Sequence, residues 1–249
     1  MALIVELFGP PGSGKTTFAK ALAAHLRGRG VAVDLHLSTR PGEAEGGGAP
    51  SARISRIARP VWELVTTAAT RPSDWNCRPS ALLAPFLAQL GGLRRLRMRQ
   101  YLLRLSTSWE RAVSRPGVVI FDQAYLQFVI SLLALRTQAT RADLTEALHA
   151  VPWADVALRL DAAPADLAQR LNVRLSQLGA FGRWLEAGAG RSDVYRALSE
   201  VLHEAFEESG GTVLETRSSD DPSFGQEVRR AAMAVVRIRG KATLSACGS

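Results

Sequence analysis

Cysteine is nearly absent. Cys77 and Cys247 are the only two in 249 residues, and they stand far apart. That excludes a disulfide framework and makes a reducing cytoplasm the expected compartment. No apolar run approaches the ~18 residues that a membrane span needs, and no leader-like segment precedes the first apolar stretch. The four histidines lack metal-ligand spacing. His25, His149 and His203 fall in helical stretches and read as surface or hydrogen-bonded side chains. Lysine is scarce, at Lys15, Lys20 and Lys241 only. No internal repeat is present. Membrane-spanning, disulfide-stapled and zinc-ribbon classes are therefore set aside, and a single globular domain of ordinary apolar content (47%) remains.

The formal net charge is +8, and the excess is local. Between Ser51 and Pro116 twelve arginines stand against Glu63, Asp74 and Glu110, an excess of nine, so the rest of the chain is close to neutral. A clustered basic segment suits an anionic partner: a phosphate-bearing small molecule, nucleic acid or a membrane surface. A solvated helical surface would carry the same charge.

Against this background one stretch is specific. Gly9-Pro10-Pro11-Gly12-Ser13-Gly14-Lys15-Thr16 has the form G-x-x-x-x-G-K-[ST]. Ala2–Phe8 before it reads as a buried strand, and Thr16–Arg29 after it as a helix. Strand, glycine loop and helix together aim backbone N–H groups at a phosphate chain. Gly9 through Thr17 are the expected nucleotide contacts. Lys15 would bridge the terminal phosphates, and the Thr16 hydroxyl would ligate Mg²⁺.

Further on, short strands alternate with longer helices, the pattern of a parallel sheet with crossover helices. Strands are expected at Val31–Leu37, Val118–Phe121, Asp155–Leu160 and Thr212–Glu215. Helices are expected at Tyr125–Leu135, Arg141–Ala150, Pro164–Leu178, Ser192–Glu208 and Phe224–Val236. Ser38–Pro50 is glycine-rich loop. A helical insertion over 51–116 follows, in pieces Ala52–Thr70, Ser80–Leu90 and Leu93–Ser114. In the last piece Met98, Tyr101, Leu102, Leu105, Trp109 and Val113 form one apolar face, with Arg97, Arg104 and Arg111 as a stripe beside it. Residues 170–191 form a lid-like segment, and 239–249 read as a disordered tail after a single domain over 1–238.

Asp122 ends an apolar strand. A carboxylate there can hold Mg²⁺ through water, accept a proton from an attacking hydroxyl, or cap the next helix. Arg170 and Arg174 lie four apart on one helical face and, with Arg183 and Arg191, could close over transferred phosphate. Asp34, His36, Arg40 and Glu43 lie on or just after strand two, where ligands of open α/β sheets bind. Asp34 and Glu43 are candidate bases, and Arg40 a candidate contact to an anionic acceptor. Arg97, Arg104 and Gln123 complete the candidate acceptor contacts.

These residues together resemble the P-loop kinases of the nucleoside-monophosphate kinase group, nearest to the thymidylate-kinase-like branch. Ser38-Thr39-Arg40-Pro41-Gly42-Glu43 is similar to that branch's Arg-Glu-Pro-Gly loop, and Asp122 matches the Asp of its Asp-Arg pair. Leu160-Asp161-Ala162-Ala163-Pro164 followed by Arg170 resembles its fourth strand and lid helix, and Val194-Tyr195 also sits where that branch has it. The departures are Gln123 in place of the arginine that would contact acceptor phosphate, Pro10-Pro11 where an acidic residue is usual, and a longer insertion. Asp122-Gln123-Ala124-Tyr125-Leu126-Gln127 also resembles uncharacterised bacterial thymidylate-kinase-like ATPases. The resemblance implies a three-layer α/β/α sandwich with sheet order 2-3-1-4-5 and the loop Arg217–Asp220 near adenine. It also implies ATP and Mg²⁺ as cofactors, and phosphoryl transfer to a small anionic acceptor. Lys15, Asp122, Arg170 and Arg174 would be its catalytic residues, with Thr16 and Asp122 at the metal. The alternatives are a regulatory or polyanion-associated NTPase and a kinase of a lipid- or polysaccharide-linked acceptor. Nucleic acid is the less favoured partner, peripheral membrane contact stays open, and a homodimer is compatible with the pattern. There is no Asn-Lys-x-Asp guanine signature and no Leu-Ser-Gly-Gly-Gln transporter signature.

Overall fold

The computed structural model describes residues 2–38, 79, 81–136, 139–176, 192–217 and 223–247. Arg40, Glu43, the expected helix Ala52–Thr70, Arg183, Arg191 and the loop after Arg217 lie outside the described residues, as do the side chains of Arg174 and Arg217.

Five parallel strands form one sheet: β1 (Ala2–Phe8), β2 (Val33–His36), β3 (Gly117–Phe121), β4 (Val156–Asp161) and β5 (Thr212–Arg217). Their order is β2-β3-β1-β4-β5, as the resemblance implied. The described residues also hold eight helices: α1 (Lys15–Gly28), α2 (Ala84–Ala88), α3 (Gly92–Val113), α4 (Tyr125–Ala134), α5 (Arg141–His149), α6 (Pro164–Ser176), α7 (Ser192–Glu208) and α8 (Phe224–Cys247). None is long and apolar enough to cross a membrane among the described residues.

β1 is buried along its whole length because it lies in the middle of the sheet, between β3 and β4. Its side chains alternate between two cores. Leu3, Val5 and Leu7 pack with Phe18, Leu22 and Leu26 of α1 and Val228, Ala232 and Val235 of α8. Ile4 and Phe8 face the other layer, where Leu102 and Trp109 of α3, Phe128 and Leu132 of α4 and Leu202 of α7 meet. The helices thus sandwich the sheet, and α3 of the insertion is part of the main core rather than a separate lobe.

α3 shows why. Met98, Leu102, Leu105, Trp109 and Ala112 are buried, at steps of four, three, four and three, which trace one face of a helix. The Trp109 ring lies 5.4 Å from Phe121 and 5.1 Å from Tyr125. Val113, expected on this face, is exposed, because the contact line passes through Ala112 in the last turn instead. The arginine stripe grades outward: Arg97 is half-buried, while Arg104 and Arg111 are exposed. A second correction concerns the C-terminus. α8 continues past Val236 to Cys247 and takes in most of the segment expected to be disordered. Ala, Lys and Leu beyond residue 240 are good helix formers, and Gly240 alone costs only about 1 kcal/mol.

Replacing Trp109 by Ala removes a large buried ring between helix and sheet. It should lower unfolding free energy by about 3–5 kcal/mol, measured by urea denaturation followed by circular dichroism. A loss under about 1 kcal/mol would show that α3 is not integral to the core.

Candidate nucleotide site

Parallel strands bring the ends of β1, β2, β3 and β4 to one edge of the sheet, so Gly9, Ser38, Asp122 and Ala162 converge there. The glycine loop leaves β1 through backbone that other residues would resist. Gly9, Gly12 and Gly14 have φ of 142°, 84° and 81°. A Cβ on Gly9 would lie 2.1 Å from the Leu160 carbonyl oxygen of β4, so no side chain fits. Gly12 packs against the backbone of Leu167 and the Arg170 side chain, which seats α6 on the loop.

Lys15 is buried and donates to the carbonyl oxygens of Gly9 and Pro10, each at 2.9 Å, and to Ser13 Oγ at 3.4 Å. Its ammonium is therefore held over the loop by three acceptors. Arg170 Nη1 donates to the Gly12 carbonyl oxygen at 3.4 Å, and the same side chain lines a shallow groove with Asp166, Gln169 and Val173. Thr17, expected among the nucleotide contacts, is exposed on α1.

The metal side of the site is compact. Thr16 Oγ1 donates to Asp122 Oδ2 at 2.6 Å. The other oxygen, Oδ1, accepts the Ser38 N–H at 2.7 Å, and Asp122 is wholly buried. A hydroxyl and a carboxylate in contact are hard oxygen donors suited to Mg²⁺. That ion is commonly held by one or two protein oxygens plus substrate phosphates rather than by an all-protein cage. No cluster of three or more His, Cys, Asp or Glu occurs among the described residues. Thr16 and Asp122 fit the ion and would hold it there.

Of the candidate acceptor contacts, Asp34 is already engaged. Its carboxylate meets Arg115 and accepts from His36 Nε2 at 3.2 Å. Partial burial works to raise its pKa, but the His36 and Arg115 charges and their hydrogen bonds outweigh that and hold it below the ordinary value. His36 stacks on Phe121 at 4.7 Å. Gln123, half-buried, follows Asp122 at the site edge, and Arg97 and Arg104 lie on α3.

Two residues at the site were not among those expected. Glu6 sits in mid-β1 with no exposure at all. Its Oε1 accepts the N–H groups of Ala124 and Gln127, both at 3.0 Å. Among the described residues its Oε2 has no hydrogen-bond partner, and neither has the buried Tyr101 hydroxyl. Gln127, from the first turn of α4, accepts the Gly9 N–H on Oε1 at 3.0 Å. A signal was available for Glu6: a lone carboxylate inside an otherwise apolar strand needs a reason. Gln127 carried none, because only the fold brings it to Gly9.

Burial pushes the Glu6 carboxyl up to about 7, despite the backbone N–H groups of α4 that favour its charged form. Between the ordinary value and about 7 the folded chain holds a proton that the unfolded chain releases. This contribution is thus full at low pH and is lost as pH rises through 7. The span amounts to roughly 3 kcal/mol at about 1.4 kcal/mol per pH unit. Urea unfolding at pH 5 and pH 8 should show the native chain losing more stability than Glu6→Gln, by up to that amount. Equal losses in the two proteins would contradict the assignment.

Comparison with known families agrees with this geometry. Residues 5–55 match the family described as "ATPase family associated with various cellular activities (AAA)", a stretch that holds the glycine loop. No curated protein matches the chain significantly. The glycine loop and the sheet order make this a P-loop NTPase fold, and the family matched over residues 5–55 implies binding and hydrolysis of ATP.

Proposed function

We propose that the chain is a MgATP-dependent phosphotransferase acting on a small anionic acceptor. The observation that carries this reading is the 2.6 Å bond between Thr16 and Asp122, made by a sheet in which β3 lies directly beside β1. It sets a carboxylate against the nucleotide loop, and the sheet order is the one that the kinase resemblance implies. Lys15 and Arg170 supply fixed positive charge around the loop, where the transferred group would gather negative charge. The N–H groups at the start of α1 hold the remaining phosphates. Bound Mg²⁺ would supply neutralisation of the phosphate oxygens. Asp122 is held in its orientation by Thr16 and Ser38. The acceptor would lie between the ends of β2 and β3 and the helices of the insertion, whose arginines favour an anion. Nucleotides, sugar phosphates and lipid- or polysaccharide-linked phosphates are the acceptor classes this chemistry suits. Cytoplasmic location, a homodimer and peripheral membrane contact belong to the same proposal. The matched family supports a second reading, an ATPase that needs no acceptor.

ADP release measured over an acceptor panel separates the two. A phosphotransferase gives acceptor-dependent turnover that Lys15→Ala lowers at least a hundredfold, in line with the roughly 10²–10³ lost with one charge-stabilising donor. Turnover indifferent to every acceptor leaves the ATPase. Arg170→Met should lower kcat about tenfold or more while changing the KM for ATP only a few-fold. A rise in KM alone would make Arg170 a binding group.

A further inference from the structure

α4 begins without a cap of its own. Ala124 at its N-cap offers no side-chain acceptor. The helix is capped instead by Glu6, 118 residues earlier in sequence, whose Oε1 takes the amides of Ala124 and Gln127. A Ser or Asp at position 124 would satisfy the Gln127 amide locally, without burying a carboxyl in the sheet. What a local cap could not do is tie α4 to β1. Gln127, its backbone held by Glu6, takes the Gly9 N–H on its side chain and donates from Nε2 to Ser131 Oγ at 3.4 Å. The Gly9 carbonyl in turn accepts from Lys15. Asp122 lies two residues before Ala124. Buried hydrogen bonds therefore join the first amide of the phosphate loop to Ala124, and two residues of backbone lead from there to Asp122.

We propose that Glu6 and Gln127 are positioning residues that hold the phosphate loop and the Asp122–Ala124 turn as one unit, so that nucleotide and Mg²⁺ bind cooperatively. Neither touches the reacting atoms. The inference rests on nucleotide binding at the loop and is independent of whether the reaction is transfer or hydrolysis. Its readout is the ratio of ADP dissociation constants without and with Mg²⁺, a coupling between two ligands that loss of stability alone would leave unchanged.

Gln127→Met removes the acceptor for Gly9 and leaves both amide bonds to Glu6. Glu6→Leu combined with Ala124→Asp returns a cap to α4 but cuts the tie to β1. Both should lower the Mg²⁺ effect on ADP affinity about tenfold, measured by calorimetry well below the thermal midpoint of each variant. Glu6→Gln keeps an acceptor oxygen and should hold the ratio within about twofold of native. A native ratio in Gln127→Met, or in the double variant, overturns the proposal, as does a Glu6→Gln ratio as low as theirs. Should either of the first two variants fail to fold, the other decides. Absence of ADP binding to the native chain would instead remove the nucleotide site itself.

Discussion

The contact between Thr16 and Asp122 depends on strand adjacency. β1 delivers the glycine loop and β3 delivers the carboxylate. Because the two pair directly, with Glu6 opposite Phe121, Asp122 arrives beside the first turn of α1. Placing a carboxylate against a hydroxyl inside a sheet edge otherwise built from Phe8, Phe121 and Leu160 is costly unless every oxygen is satisfied. Thr16 and the Ser38 amide meet that demand. The site is thus preorganised by backbone pairing rather than by flexible side chains, which suits a role in which charge must be met without rearrangement.

Buried polar groups follow the same logic across the α3–α4 layer. Tyr125 donates to Ser106 Oγ at 2.9 Å, and Ser106 to the Leu102 carbonyl, so the aromatic cluster around Trp109 carries its polar atoms in pairs. Among the described residues, Glu6 Oε2 and the Tyr101 hydroxyl are buried without a partner. The charges of Glu6 and Asp122 add to burial in keeping the Tyr101 phenol protonated. Unsatisfied groups gathered behind a phosphate loop mark the place where the core gives up some stability for the geometry of the site.

Much of this was readable in the chain. The glycine loop carries its own geometry, since only glycine accepts the left-handed backbone at Gly12 and Gly14. The apolar run before it, Ala2–Phe8, read directly as a buried strand. Asp122 stood out because a carboxylate directly after the apolar run Val118–Phe121 falls at the strand's end, on the edge of the sheet. The boundaries were less legible. Helix formers carried α8 through Gly240, and the face of α3 turned toward Ala112 rather than Val113, because packing and not spacing alone sets which residue of a last turn is covered. Asp34 could be placed on β2 but not paired, because Arg115 approaches from the far end of the insertion.

What the sequence by itself determined is the set of local devices: a loop shaped by glycine, a lysine and a threonine at fixed offsets, and alternating strands and helices. These depend on neighbours within one turn or one strand. What only the tertiary structure decided is which distant groups share an atom. Glu6 reaches the amides of α4, Gln127 reaches Gly9 and Leu160 presses on the same glycine, and each is a pairing across more than a hundred residues. No local propensity encodes such pairings, because they arise from the order in which strands enter the sheet and from the need to satisfy every polar group sealed beneath it.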